Sequence, residues 1–435
     1  MKVLLGSCPV TGHVNPVLVA ARVLKDAGHT VAFYTGSLFR EKIESAGIRF
    51  FPLPADVDYD MRDIDAAFPE RKNYAPGIPR LVFGMKALFV DTIPSQFRGL
   101  RVVLREFAPD LIMYETSFCG MLPLLLGPRF LRPPSVYLGI STLQLARQDG
   151  APWGSGLPPA ANAAQLEEYA GIAQKVDEAL TNPVREHADH ILHEMGVGGL
   201  PAPLFESMAT LSDLILQPCT PTFEFPTRDS DDRVRFIGAL MPRGAGDVPS
   251  QVKEAKRAGK KVMLVSQGTV ANDDLGKLLA PAIKAFGDRE DFLILVTTGG
   301  KPIDMIPCPL PANTIASRFL GFREILPDVD VLVAFASYGT VTQALSHGVP
   351  MVVTGIGEDK PEVGARVAWT GSGVYLRTDY ASAEEVGSAV EQVLSNGTYR
   401  ARARELAEDF AEHDAATELT QLLELLVADE AAVES

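Results

Sequence analysis

The chain is short of the residues that would staple it, charge it positively or carry it across a membrane. Four cysteines, Cys8, Cys119, Cys219 and Cys308, are scattered over 435 residues. No CxxC pair or Cys/His cluster gives a metal spacing, and a disulfide framework is foreign to so long a chain. The thiols are therefore expected to be reduced and mostly buried. Basic residues are in deficit, 40 Lys+Arg against 55 Asp+Glu, for a net charge of −15. Nucleic-acid affinity rests on Lys and Arg neutralising phosphates, so a broad polyanion-binding surface is excluded. A small phosphate ligand is not, because it needs only a local pocket of donors. No run of about 18 apolar residues is free of charges and turns, so no membrane span is expected. The opening run Met1–Gly6 is too short for a secretory h-region, which points to a cytoplasmic location.

What is present is ordinary globular material, 46% apolar and 22% charged. The length suggests two or three domains of about 100–200 residues each. Short β-rich runs alternate with helical stretches, the pattern of a parallel sheet in an α/β architecture. Strand-like runs lie at 2–6, 30–35, 48–53, 110–114 and 135–138, and the pattern restarts at 261–266, 292–297, 331–335, 351–353 and 373–376. The simplest reading is two Rossmann-like domains, 1–220 and 251–400, joined by a Pro/Gly/Asp-rich linker at 221–250 that holds one short strand-like run at 234–237. Residues 401–435 read as a charged amphipathic helix ending in an acidic, fraying tail. Asn396-Gly397-Thr398 reads as a turn between helices. Five aspartates at 56–65 read as an acidic surface loop, and the Pro/Gly/Ala-rich stretch 148–163 as a lid or pocket wall.

After the first strand the chain reads Gly6-Ser7-Cys8-Pro9-Val10-Thr11-Gly12-His13-Val14-Asn15-Pro16. This is neither GxGxxG nor a P-loop, so an NAD enzyme or an ATPase loses its main support. What remains is a glycine-flanked imidazole just before a helix, at the carboxyl end of a strand, where ligand crevices of open α/β sheets lie. A histidine with an ordinary pKa of about 6.5 is matched to removing a proton near neutral pH. Glu115, at the end of the run 110–114, is placed to accept from its second ring nitrogen and orient it. The competing readings are a histidine that satisfies a turn and a surface glutamate that caps a helix.

In the second domain Ser266-Gln267-Gly268-Thr269 follows a strand and offers amides and a hydroxyl to phosphate oxygens. After the run 331–335, Ala336-Ser337-Tyr338-Gly339-Thr340 opens a helix whose positive end suits a diphosphate. Asp359 and Lys360, beyond the next strand, lie on the same rim and suit sugar hydroxyls, unless Glu358 or Asp359 simply pairs with Lys360.

This order of parts resembles the inverting nucleotide-sugar glycosyltransferases of the GT1 family, whose GT-B architecture sets two Rossmann-like domains with parallel sheets about a central cleft. The resemblance is carried by Gly12-His13-Val14-x-Pro16, by the string Tyr338–Val353 and by Glu358-Asp359-Lys360-Pro361-Glu362-Val363. It is specific to bacterial natural-product members. It implies that His13 is the general base and Glu115 its partner, standing where members commonly place an aspartate. It implies a donor site of Gly12, Gly268, Thr269, Ser337, Tyr338, Gly339, Thr340, Asp359 and Lys360, with Phe319 stacked on the nucleotide base. The implied co-substrates are a nucleotide sugar, such as a UDP-sugar, and a small hydroxylated apolar acceptor; no metal or other cofactor is required. Phe89, Phe118 and Trp153 are the expected acceptor walls.

Three departures stand out. Phe335-Ala336-Ser337 occupies the place where members commonly have His-Gly-Gly or Asn-Gly-Gly, Lys360 stands where glutamine is usual, and Phe322 replaces a glutamine of many plant members. A lost donor at Phe335 costs about 1–3 kcal/mol of donor binding, and restoring His or Asn there is expected to tighten it. Two other readings follow: a donor-impaired, non-catalytic GT-B binding protein, or an epimerase of activated sugars.

Overall fold

The computed structural model describes residues 1–242, 248–269 and 272–433. Two parallel sheets organise them. The first contains β1 (Lys2–Gly6), β2 (Thr30–Thr35), β3 (Arg49–Pro52), β4 (Leu111–Glu115), β5 (Ser135–Leu138), β6 (Leu214–Gln217) and β7 (Val234–Phe236), in the order β3-β2-β1-β4-β5-β6-β7. The second contains β8 (Lys261–Ser266), β9 (Phe292–Thr297), β10 (Thr314–Ser317), β11 (Val331–Phe335), β12 (Met351–Thr354) and β13 (Gly373–Leu376), ordered β10-β9-β8-β11-β12-β13. Strands such as β4 and β11 are buried along their whole length. Helices cover both faces of such a sheet, so the alternation collapses into continuous apolar runs. Each sheet accordingly has a hydrophobic cluster on either side.

In each sheet the strand order reverses once, between β1 and β4 and between β8 and β11. Ligand crevices form beyond the carboxyl ends of strands at such reversals. The four strand ends that carry His13, Glu115, Gly268 and Ser337 are the four that flank these two points.

Three boundaries depart from expectation. Val234–Phe236 is not linker but the edge strand of the first sheet, paired with β6. The first helix runs Thr11–Asp26, so His13 lies inside its first turn rather than before it. Val10 starts that turn by accepting from the amides of His13 and Val14, both at 2.9 Å. Pro16 thus lies inside the helix, past its first turn, where it forgoes a bond to the Gly12 carbonyl.

The third departure is the C-terminus. The helix Gly397–Ala411, capped by Asn396, stays with the second domain, where Leu406 and Phe410 join its core. The helix Ala415–Val433 does not fray; it crosses back to the first domain. Leu419 and Leu423 enter the core beside Val14 and Val17, with Leu422, Leu426 and Val427 packed around them. That i, i+3, i+4, i+7 stripe is what a docked helix requires. Glu430 pairs with Arg129, and Glu424 reaches His29 at 3.4 Å. The chain thus passes between domains twice, and the two passages touch. Gly238 (φ 68°) lies so near His413 that a Cβ on it would stand 2.7 Å from the histidine Cβ.

Smaller expectations hold. The four cysteines are free, three of them buried. The acidic loop spends its carboxylates locally: Asp58 accepts from the Ser37 amide, Asp63 caps a helix, and Asp56, Asp60 and Asp65 pair with Arg98, Arg62 and Arg71. No helix among the described residues is long and apolar enough to cross a membrane.

Candidate active site

The first reversal point holds a dyad. Glu115, fully buried at the end of β4, accepts from the Cys8 amide at 2.9 Å and the Ser117 amide at 2.8 Å. Those bonds fix its carboxylate, whose Oε2 lies 3.0 Å from His13 Nδ1. An ionised carboxylate only accepts, so Nδ1 carries the proton and Nε2 is left free to take another. Burial pulls the His13 pKa down, but the charge and hydrogen bond of Glu115 outweigh it. Glu358 and Asp359, reaching from the second domain, push the same way, and the net direction is upward from 6.5. The protonated pair thus contributes stability that is full below the unfolded value and lost as pH rises through the raised folded one.

If His13 is the general base that the resemblance implies, the neutral ring is the working form, and kcat/KM should rise with pH along a limb centred above 6.5. In Glu115→Gln that limb should move to lower pH, with a lower plateau. A pH–rate profile in which the limb stays put would remove Glu115 from its role.

The second reversal point is lined by backbone. Gly268 has φ 74°, and Gly299 (φ 62°) packs so closely that a Cβ there would lie 2.0 Å from the Gly268 carbonyl oxygen. Only glycine fits such an approach. Ser337 precedes the helix Tyr338–Leu345 without capping it, and its hydroxyl faces Gly268. The first-turn amides of Tyr338, Gly339 and Thr340 have no intrahelical acceptors, which leaves them open to an anion. Gly339 and Thr269 are exposed and Thr340 half-buried, as such a surface demands. Phe319 is 60% exposed, unusual for a phenyl ring, and lies against Gly300 on the same side. An open aromatic face of this kind suits stacking on a flat ring.

Not every expected side chain joins this site. Tyr338 contributes through its backbone alone. Its ring is buried and its hydroxyl donates to Glu224 Oε1 at 3.0 Å. Lys360 pairs with Glu358, the local arrangement weighed against a sugar contact. Phe335 points the other way, with its ring 2% exposed in the core beside Val331 and Val333. A polar residue there would meet core, not phosphate, which corrects the expectation of tighter donor binding. Phe335→His should instead lower stability by about 2 kcal/mol, read from the denaturation midpoint, while diphosphate affinity stays level.

Between the domains, Asp359 meets Ser141, whose Oγ donates to Oδ2 at 2.7 Å. Burial raises the Asp359 carboxyl above the ordinary range, with Lys360 and Ser141 pulling against it. Ser141 escaped the sequence reading. The signal was its place just past the end of β5, one strand over from Glu115.

On the acceptor side, Phe89 is half-buried and lines a small apolar hollow with Val10, Val57, Tyr59 and Met61, beside the His13 loop. Phe118 does not line the cleft. It is fully buried, its ring pressed against Gly6 and edge-on to Tyr34. Trp153 lies at the domain junction, where its indole N–H donates to Thr142 Oγ1 at 3.1 Å.

Residues 293–426 match the family described as erythromycin biosynthesis protein CIII-like, C-terminal domain. Over 437 residues the chain is 33% identical to UDP-glycosyltransferase 2 of Phaeomoniella chlamydospora, covering 98% of this chain and 96% of that one. It is also 33% identical to the 4'-demethylrebeccamycin synthase of Lentzea aerocolonigenes, over 98% and 99% of the two chains.

The chain belongs to the GT1 natural-product glycosyltransferases.

The fold of this glycosyltransferase agrees. The crystal structure of the calicheamicin glycosyltransferase CalG4 superposes with a TM-score of 0.74, at 20% identity over 98% of each chain. The spinosyn rhamnosyltransferase SpnG, complexed with spinosyn aglycone, gives 0.67 at 17% identity over 98% of this chain and 100% of that one. The two reversal points are thus the two sides of a GT-B cleft. The glycosyltransferase sets its imidazole–carboxylate dyad on one side and its open helix N-terminus on the other.

Proposed function

We propose that the enzyme moves a sugar from a nucleoside diphosphate, UDP by preference, to a hydroxyl of a small apolar acceptor with inversion at the anomeric carbon. The observation that carries this is the His13–Glu115 dyad of one domain under the Asp359 rim of the other, bridged by Ser141–Asp359 at 2.7 Å. His13 Nε2 takes the acceptor proton as that oxygen attacks the anomeric carbon. The diphosphate leaves from the opposite face, and its growing charge falls on the amides at 338–340 and the Gly268 loop. Phe319 stacks on the base, Asp359 takes sugar hydroxyls by exchanging its Ser141 bond, and Phe89 and Trp153 wall the acceptor. UDP-glycosyltransferase relatives support the donor.

A matrix of nucleotide sugars against hydroxylated aromatics and polyketide aglycones, read by mass and by anomeric coupling in NMR, tests the reading. No product with any pair, or a retained anomer, would overturn it. The donor-impaired alternative loses its main support, because the Phe335 side chain faces the core and not the diphosphate side. Thermal stabilisation by nucleotide sugars separates the two, since a ligand selective for the native state raises its melting temperature.

A further inference from the structure

The stretch 147–160, which carries Trp153, belongs to the first domain by sequence but is fastened to the second. Glu362, fully buried in the first turn of the helix Lys360–Trp369, accepts from the Gly154 amide at 3.0 Å and the Gly156 amide at 2.9 Å through one oxygen. Its other oxygen takes Arg366 Nη1 at 2.9 Å, and Arg366 Nε donates to Glu224 at 2.8 Å. The Arg366 guanidinium also lies 4.0 Å from the centre of the Phe225 ring. On the far side of the loop, Arg377 donates to the Gly156 carbonyl at 3.1 Å. Gly156, at φ 62°, has no room for a side chain, because a Cβ would stand 2.8 Å from the Pro361 carbonyl oxygen. The rest of the loop is tied down internally: Arg147 donates to the Leu157 carbonyl, and Asp149 accepts from the amides of Ala151 and Ala160.

We propose that Glu362 is a positioning residue that clamps the Trp153 loop to the donor-binding helix, so that the acceptor wall travels with the donor domain. The inference rests on the reading of Trp153 as acceptor wall and of Asp359 as donor contact. Two amides of a loop and the guanidinium of a buried arginine converge on one carboxylate, three residues after Asp359. A loop that merely covered the junction would need no such charge. Holding Trp153 at a fixed offset from Asp359 sets where an acceptor ring lies when the sugar arrives, and misplacement of a reactant by about 1 Å can cost 10²-fold.

Hydrogen exchange by mass spectrometry and steady-state kinetics with 1-naphthol as acceptor test the clamp together. In the wild-type enzyme the amides of 154 and 156 should be among the slow exchangers of the 147–160 stretch. In Glu362→Ala they should exchange about tenfold faster or more, because their acceptor is gone. The 1-naphthol KM should rise about tenfold while the donor KM holds. Glu362→Gln keeps one oxygen for the two amides but replaces the acceptor of Arg366 by an NH2 donor, so its exchange and KM should fall between the two. That variant carries the test if Glu362→Ala does not fold. Unchanged exchange in Glu362→Gln and in a folded Glu362→Ala overturns the proposal, and so does faster exchange with an unchanged acceptor KM. A wild-type enzyme that binds no UDP-sugar and glycosylates no acceptor refutes the substrate reading instead; the exchange rates then still decide whether Glu362 holds the loop.

Discussion

His13→Ala should lower turnover by about 10²–10⁴, the usual contribution of a positioned general base. Binding of UDP, measured by calorimetry, should stay within a factor of about two, since the proposed nucleotide contacts lie on the opposite domain, away from the imidazole. The separation of the two effects is the point of the experiment. Glu115 is anchored by two amides of its own, so the cavity left by the imidazole does not release the strand end. A turnover equal to wild type would take His13 out of the chemistry. A parallel collapse of UDP affinity would mean that the substitution had disturbed the cleft as a whole.

The second large effect is on stability. Arg366→Met should destabilise the fold by about 3–5 kcal/mol, because it leaves two buried carboxylates without their shared cation. Glu224 and Glu362 have side chains 3% and 0% exposed, and both ion pairs are short, at 2.8 and 2.9 Å. Neither carboxylate can turn to water without breaking other bonds: Glu224 also serves Tyr338 and the Leu143 amide, and Glu362 serves the Trp153 loop. Urea unfolding reads the loss. Adding Glu224→Gln to the Arg366→Met background should recover part of it, since one of the two stranded charges disappears. If the double variant is less stable than the single one, the triad is not held by charge compensation.

Much of this architecture can be read from the chain, and the parts that cannot share a cause. The strand alternation and its restart at Lys261 locate both sheets, and the residues just past β1, β4, β8 and β11 lead to the cleft. Phe335 was legible too: with Val331 and Val333 it shares one face at a period of two, and that face is core. Its position beside a phosphate site in related sequences concealed what its own strand implied. β7 shows as a short strand-like run at 234–237, but it sits in a Pro/Gly/Asp-rich stretch that reads as linker, and nothing local says that it joins the first sheet. The apolar stripe at Leu419–Val427 is visible, but its partner lies some 400 residues earlier in the chain, which no local period reveals. The Glu362 clamp escaped for the same reason. Lys360-Pro361-Glu362 reads as a capped helix start, and only the folded chain brings Gly154 and Gly156 over it.

The contact of Gly238 with His413 bears on how such a cleft opens. Two bodies tied at well-separated points can turn only about the line that joins them. Here the ties lie side by side, so they act as one pivot and leave the domains free to swing about it in more than one direction. Whatever restricts that swing must then act away from the pivot, as the bond Ser141–Asp359 does. Glycine at 238 sets the spacing of the pivot itself: any larger residue would wedge the two passages apart and tilt one lever arm against the other.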